Sequence, residues 1–73
     1  MVEVRLFAYF RNGREKISHL AVDDFSSPRK ILEHLEIDEE ELGILLINGF
    51  HSQLDDQLKD GDVLAIFPPV AGG

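Results

Sequence analysis

The chemically distinctive segment of this sequence is its last stretch, where the residues become progressively smaller. Gly72 and Gly73 have no side chains, so they fit a channel too narrow for other residues and leave a terminal carboxylate unshielded. A carboxylate becomes an acyl donor once an ATP-using partner adenylates it, and a sulfur or nitrogen nucleophile then attacks the mixed anhydride. The carrier contributes only the position of the carboxylate. We therefore predict that the reactive group is the α-carboxylate of Gly73.

A stiff connection precedes the two glycines. Pro68 and Pro69 follow a strongly apolar run and are expected to end its strand, because neither proline donates a ladder hydrogen bond. The residue before each proline is restricted to extended conformations. From Phe67 to Gly73 the chain spans about 20 Å at full extension. We predict that residues 68–73 protrude as a tail that enters a partner's active site; a merely frayed terminus, the alternative, would not need a stiff base.

No other group of residues has the pattern of an active site. His19, His34 and His51 lie in three different predicted elements, without the spacing of a metal site. The sequence has no cysteine, no phosphate-binding glycine loop and no nucleophile elbow around its serines. We predict no metal, no bound cofactor and no enzymatic activity of its own, with ATP used only by the activating partner. The aspartates of the second half lack calcium-loop spacing: Asp55, Asp56, Asp60 and Asp62.

Composition predicts one small acidic domain, residues 1–73. The 73 residues are 44% hydrophobic, which suffices for a single core. Asp and Glu outnumber Lys and Arg by 14 to 7, and the net charge of −7 disfavours nucleic acid and anionic membranes as partners. Such a surface is drawn to a basic protein surface, unless the charge serves only solubility. The lack of cysteine, of a signal peptide and of a long apolar run favours a cytoplasmic location.

The first hairpin is predicted from alternation over residues 2–10, an Asn12-Gly13 turn and a return strand over residues 16–22. A two-residue turn would set a histidine opposite Leu6, whereas one more loop residue sets Leu20 there. Because a one-residue slip moves every side chain to the other face, the longer loop is favoured. The inner face of the first strand is then Val2, Val4, Leu6 and Ala8, with Phe7, Tyr9 and Ile17 on the other face.

The remaining elements are one helix and two or three further strands. Ser27 and Pro28 have the types of an N-cap and a first-turn proline for a helix that ends near Leu35. Asp38 is expected to cap a second helical turn that Gly43 ends. Strands grouped around one main helix predict an α+β fold with a mixed four- to five-stranded sheet. The later strands are predicted at residues 44–47, 50–52 and 63–67.

An apolar patch is predicted beside the tail. If the first and last strands pair at the centre of the sheet, alternate residues of the last strand face outward, including Val63, Ala65 and Phe67. Phe7 and Tyr9 of the first strand are expected on the same face. Together these side chains would form a docking surface for a partner protein.

The two ends of the sequence resemble the molybdopterin synthase small subunit (MoaD-like) sulfur carriers. The resemblance rests on Leu-Lys-Asp-Gly-Asp at residues 58–62 and on Phe-Pro-Pro-Val-Ala-Gly-Gly at residues 67–73. Residues 5–11 also look like the first strand of that family. The thiamine-pathway (ThiS-like) relatives share the Asn-Gly turn at residues 48–49, and the short stretch at residues 36–43 is closer to their length.

The resemblance implies a ubiquitin-like β-grasp fold and a sulfur-carrier function. In that family a ubiquitin-activating-type adenylyltransferase (MoeB- or ThiF-like) adenylates the C-terminal glycine, which is converted to a thiocarboxylate. The sulfur then enters a molybdopterin or tungstopterin cofactor in a large synthase subunit (MoaE-like). Gly73 corresponds to the reactive glycine, Gly72 to its companion and Phe67 to a phenylalanine at the partner interface. The partner-binding residues are thus predicted to be Phe7, Phe67, Pro68, Pro69, Val70 and Ala71.

Three alternatives stay open from the sequence. The acceptor of the sulfur is a thiamine precursor if the chain is of the ThiS-like type. A ubiquitin-like modifier joined to lysines would use the same adenylation with a different acceptor. A plain interaction module would leave the tail chemically inert.

Overall fold

The computed structural model describes residues 1–69, which form five strands and one α-helix. The bounds are β1 Val2–Leu6, β2 Ile17–Leu20, α1 Pro28–Leu35, β3 Ile44–Ile47, β4 Phe50–His51 and β5 Val63–Phe67, with 3₁₀ turns at Ala8–Arg11 and Glu39–Glu41. This arrangement confirms the predicted α+β class. Among the described residues, no helix has the length and apolar character that crossing a bilayer requires.

The strand that leads to the tail lies in the middle of the sheet. The strand order is β2-β1-β5-β3-β4, so β5 has a hydrogen-bonded neighbour on each side. It runs parallel to β1 and antiparallel to β3, and the predicted pairing of the first and last strands is confirmed. The chain therefore leaves the sheet from a strand that is held on both edges.

The core lies between the sheet and α1. Along β1 and β5, buried side chains alternate with half-buried or exposed ones, so each strand contributes every second residue to the core. From α1, Ile31 and Leu32 complete the apolar layer. The buried apolar side chains are Val2, Val4, Leu6, Phe10, Ile31, Leu32, Ile37, Leu45, Leu58, Leu64 and Ile66.

The predicted first hairpin is wrong in its length and register. β1 ends at Leu6, and the following 3₁₀ turn holds Ala8 at φ 54, where the side chain is exposed instead of facing the core. Leu20 is paired with Val2 instead of Leu6. The displacement is four residues, an even number, so Val2, Val4 and Leu6 face the core as predicted, whereas the predicted inward position of Ala8 is wrong. The turn brings Phe10, 1% exposed, into the core, and burial of that large ring favours the early turn over a longer strand.

The predicted helix start is confirmed, whereas the predicted cap at Asp38 is wrong. The amide of Lys30 donates to Oγ of Ser27 (3.5 Å), and Pro28 occupies the first turn. The side chain of Asp38 makes no capping hydrogen bond. Its backbone carbonyl accepts from the amide of Glu41 instead (2.9 Å), which is enough to close a single 3₁₀ turn.

A network around Asp62 joins the β3–β4 turn to the start of β5. The amide of Lys59 donates to Oδ2 of Asp62 (2.8 Å), and Nδ2 of Asn48 donates to Oδ1 (2.9 Å). The amide of Val63 donates in turn to Oδ1 of Asn48 (2.9 Å). These donors, the Lys59 amide first, hold the pKa of the Asp62 carboxyl below its ordinary value.

Replacing Asp62 by Asn is expected to lower the free energy of unfolding by about 1–2 kcal/mol at neutral pH. The substitution replaces one of the two oxygens that accept from Lys59 and Asn48 by an amide nitrogen, so one of these hydrogen bonds is lost. The folded pKa lies below the unfolded one, so the contribution of Asp62 is complete above about pH 5 and is lost as the pH falls through the folded pKa. Urea unfolding from pH 7 to pH 2 should show the gap between wild type and Asp62→Asn closing at the acid end. Asp24→Asn, which removes an exposed carboxylate, is the control, and a pH-independent gap would contradict the network.

Candidate functional site

The departure of the chain from β5 is fixed by a close contact between Gly43 and Pro68. The amide of Gly43 donates to the carbonyl of Phe67 (2.8 Å), which extends the β3–β5 ladder by one bond. A Cβ added to Gly43 would lie 2.5 Å from the carbonyl oxygen of Pro68 and 2.6 Å from the nitrogen of Pro69. Both atoms are backbone, so no side-chain motion could relieve that overlap. Pro68 is buried and Pro69 is exposed, and the exposed chain therefore begins at Pro69.

Two predicted partner-binding residues meet beside this exit. The rings of Phe7 and Phe67 are stacked, with centroids 4.2 Å apart and planes inclined by 11°. The amide of Phe7 donates to the carbonyl of Ile66 (3.2 Å), which continues the β1–β5 pairing past the end of β1. Tyr9, also predicted in the patch, packs edge-on against Phe10 instead, with ring centroids 5.2 Å apart.

The stack belongs to a larger apolar surface on the face of the sheet opposite α1. In the β3–β5 register, Phe67 lies opposite Ile44 and Ala65 opposite Leu46. Ile17 of β2 is 46% exposed and Ile44 is 37% exposed. We call this surface the outer patch; its members are Phe7, Ile17, Ile44, Leu46, Ala65 and Phe67. It confirms the outward face predicted for β5 and adds residues that were not predicted.

Ile44 and Leu46 were missed because residues 44–47 are all apolar, a pattern that gives no signal about which side chains face outward. Their outward position follows from the pairing of β3 with β5, because residues that lie opposite each other on paired strands point to the same face of the sheet. Once Phe67 is placed outward, its opposite residue on β3 must be outward too. The sequence alone does not specify that register.

Charged side chains border the outer patch on β1 and β2. Oε2 of Glu3 accepts from Nε of Arg5 (2.5 Å), and Oε1 of Glu3 lies 3.2 Å from Nε2 of His19. The Arg5 guanidinium, followed by His19, holds the pKa of the Glu3 carboxyl below its ordinary value. The guanidinium of Arg11 lies over the Phe7 ring, 5.2 Å from its centroid, at cation–π distance.

A groove of about 410 Å³ lies on the helix side, and four of its eight lining residues are acidic. Its one basic side chain, Arg29, donates to Asp55 (2.9 Å) and to Glu39 (2.7 Å). Hydrogen bonding to Arg29 lowers the pKa of the Asp55 carboxyl. Within residues 1–69, no three His, Asp or Glu side chains are gathered as metal ligands would be.

The structure thus brings together the described part of the predicted site. Phe7, Phe67, Pro68 and Pro69 lie at one end of β5, where the outer patch meets the chain exit. The remaining predicted site residues lie outside the described residues: Val70, Ala71, Gly72 and Gly73. In chemical terms, the described residues supply a rigid exit and an apolar surface beside it.

Known proteins share both the sequence pattern and the fold. Residues 4–73 match the model of the ThiS family. No curated protein sequence is a significant match to the chain.

Solved structures that are similar to the chain come from archaea and bacteria. A Pyrococcus furiosus protein described as molybdopterin converting factor subunit 1 is 28% identical, with a TM-score of 0.73 and coverage of 94% of this chain and 97% of that one. Small archaeal modifier protein 1 of Haloferax volcanii is 26% identical, with a TM-score of 0.74 and the same coverage. These similarities confirm the predicted ubiquitin-like β-grasp fold.

A third similar structure is a complex. It contains subunits 1 and 2 of the molybdopterin-converting factor of Helicobacter pylori, and the matching chain is 26% identical with a TM-score of 0.66. The alignment covers 99% of this chain and 97% of that one. A protein of this fold therefore assembles with a second subunit of that factor.

Proposed function

Because the chain belongs to the ThiS family, we propose that it is a sulfur carrier whose Gly73 carboxylate is converted to a thiocarboxylate for molybdopterin or tungstopterin synthesis. The chain is a small ThiS/MoaD-like carrier subunit. The observation that carries the proposal is the position of the chain exit. Pro69, the last described residue, follows a strand held on both edges and lies beside the outer patch.

The proposed chemistry has two steps, both on a partner's machinery. The Gly73 carboxylate oxygen attacks the α-phosphorus of ATP and expels pyrophosphate, which gives an acyl adenylate. Hydrosulfide then attacks the carbonyl carbon, the bond from that carbon to the AMP oxygen breaks, and AMP leaves with its electrons. Gly72 and Gly73 present a backbone without side chains, so the partner's groups approach the carbonyl from either side. We assign the adenylation to a ubiquitin-activating-type adenylyltransferase.

The outer patch is the surface through which we propose that partners bind. A carrier with a tail of about 20 Å must bring its globular part against the partner that receives the tail. The apolar side chains next to the exit, Phe7, Phe67 and Ile44, are the ones such a partner would cover. The Helicobacter pylori complex supports a large molybdopterin synthase subunit as one such partner.

The proposal is tested by intact mass measurement. The purified chain is incubated with an adenylyltransferase of the MoeB/ThiF type, ATP and sulfide. We expect the chain mass to rise by the difference between one sulfur and one oxygen atom, and a tandem spectrum to assign the change to Gly73. Omitting ATP is the control. No exchange, under conditions in which a known carrier reacts, would contradict the proposal.

Two neighbouring functions share the first step and differ in the acceptor. The similarity to a small archaeal modifier protein favours conjugation to lysines as the second candidate. Gly-Gly remnants on lysines of cellular proteins, dependent on Gly73, would identify a modifier. Transfer of sulfur from the loaded chain to a thiamine-thiazole precursor, and not to a pterin precursor, would identify a thiamine-pathway carrier.

A further inference from the structure

Positive charge is concentrated at one corner of an otherwise acidic domain. The chain has 7 Lys and Arg residues against 14 Asp and Glu. The segment from residue 5 to residue 16 holds only one acidic residue, Glu15, and carries more basic residues than the rest of the chain. The basic residues of the segment are Arg5, Arg11, Arg14 and Lys16.

Three of these side chains surround one groove next to the outer patch. The groove has a volume of about 170 Å³ and is lined by Arg5, Leu6, Phe7, Arg11, Lys16 and Ile17. Small-molecule pockets usually have volumes of about 300–1,000 Å³, so this groove is too small for a nucleotide or a pterin. Its size suits one or two side chains of a partner protein.

The charges around the groove are only partly compensated. Arg5 is paired with Glu3. Nε of Arg11 donates to the neutral carbonyl of Leu6 (2.7 Å), and its guanidinium lies over the Phe7 ring. Within residues 1–69, Lys16 forms no ion pair, and its side chain is exposed. A carboxylate that enters the groove therefore meets two positive charges that no acidic side chain of the described chain neutralises.

We infer that this groove binds an acidic side chain of the adenylyltransferase whose active site receives the tail, an inference that rests on the proposed function. An arginine guanidinium binds a carboxylate through paired hydrogen bonds, and Lys16 adds a point charge. Phe7 belongs to both the groove and the outer patch, so the acidic contact and the apolar contact form one interface.

The charge pattern also orients the partner. An acidic partner surface is repelled by most of this domain, whose net charge is −7, and is attracted most strongly at the corner that adjoins the chain exit. Charge complementarity of this kind acts mainly on the association rate and on the choice of orientation. The groove would therefore favour encounters in which the tail already points at the partner's active site.

The test is a charge reversal at Lys16 with a matched control. Lys16→Glu and Lys30→Glu change the net charge equally, but Lys30 lies on α1, on the other side of the sheet. The probe is the adenylyltransferase that loads sulfur onto the wild-type chain. We expect Lys16→Glu to raise the KM of the carrier about tenfold at low salt, with kcat nearly unchanged and the effect reduced at high salt. Lys16→Arg should restore the wild-type KM.

The outcomes separate this inference from the proposed function. If the wild-type chain acquires no sulfur, the proposed function fails first. If it acquires sulfur and Lys16→Glu has the KM of the wild type, or Lys30→Glu is equally impaired, the acidic contact is wrong. Thermal unfolding of each variant shows whether the domain is intact, which is expected because the altered side chains are exposed.

Discussion

Removing Gly73 is expected to lower the rate of thiocarboxylate formation by about 100-fold or more. The deletion shortens the tail by about 3.3 Å, and misplacing a reacting group by about 1 Å already costs about 100-fold in rate. The free energy of unfolding should change by less than about 0.5 kcal/mol, because the buried core side chains lie between Val2 and Ile66. Single-turnover mass measurement gives the rate, and urea unfolding gives the stability.

Two further variants separate the length of the tail from its lack of side chains. Deleting Ala71 shortens the tail equally but keeps Gly72 and Gly73, whereas Gly73→Ala keeps the length and adds one methyl group. We expect both to react more slowly than the wild type. A Gly73 deletion that reacts at the wild-type rate would mean that the reactive carboxylate is not the one we propose.

Gly43→Ala is expected to disturb the chain exit and the stability of the domain together. The added Cβ would meet backbone atoms of Pro68 and Pro69 at 2.5–2.6 Å, so the strand end or the prolines must move. Overpacking of this kind costs about 1–3 kcal/mol, and the hydrogen bond from Gly43 to Phe67 is expected to lengthen. We expect a drop in unfolding free energy of that size and a slower sulfur transfer after correction for the folded fraction.

Gly61→Ala is the matched control for this prediction. Gly61 has φ +93, and a Cβ there meets nothing within 4 Å, so the substitution strains the turn before β5 without touching the exit. It should destabilise the domain by about 1 kcal/mol and leave the corrected transfer rate at the wild-type value. Equal transfer rates for Gly43→Ala and Gly61→Ala would show that Gly43 has only a structural role.

Two elements that local patterns specify, α1 and β5, were predicted correctly, whereas the cap at Asp38 and the first hairpin were not. Ser27 and Pro28 mark the start of α1, and the apolar run of β5 marks the strand that leads to the tail. These signals work because capping and proline effects depend on neighbours in the chain. The assignment of Gly73 as the reactive end stays a prediction; it depends on missing side chains, which are read directly from the sequence.

What the sequence did not specify depends on residues that are distant along the chain. The register of β1 with β2 is set by the 3₁₀ turn at Ala8–Arg11, where burial of Phe10 outweighs continued alternation. The contact between Gly43 and Pro68 was not predicted, because the sequence pattern around Gly43 indicates only the end of a helical turn. The outer patch was incomplete because Ile44 is placed outward by its pairing with Phe67.

The parallel pairing of β1 with β5 decides where the molecule can be tethered. Met1 lies at the start of β5, where its carbonyl accepts from the amide of Gly61 (2.9 Å), and the exit at Pro68 lies at the far end of the same strand. With about 3.3 Å per residue, the five residues of β5 separate the two ends by about 16 Å. An affinity handle, a fluorophore or a bead attached ahead of Met1 would therefore lie at the end of β5 that is opposite the chain exit. Immobilised carrier should still reach its enzymes.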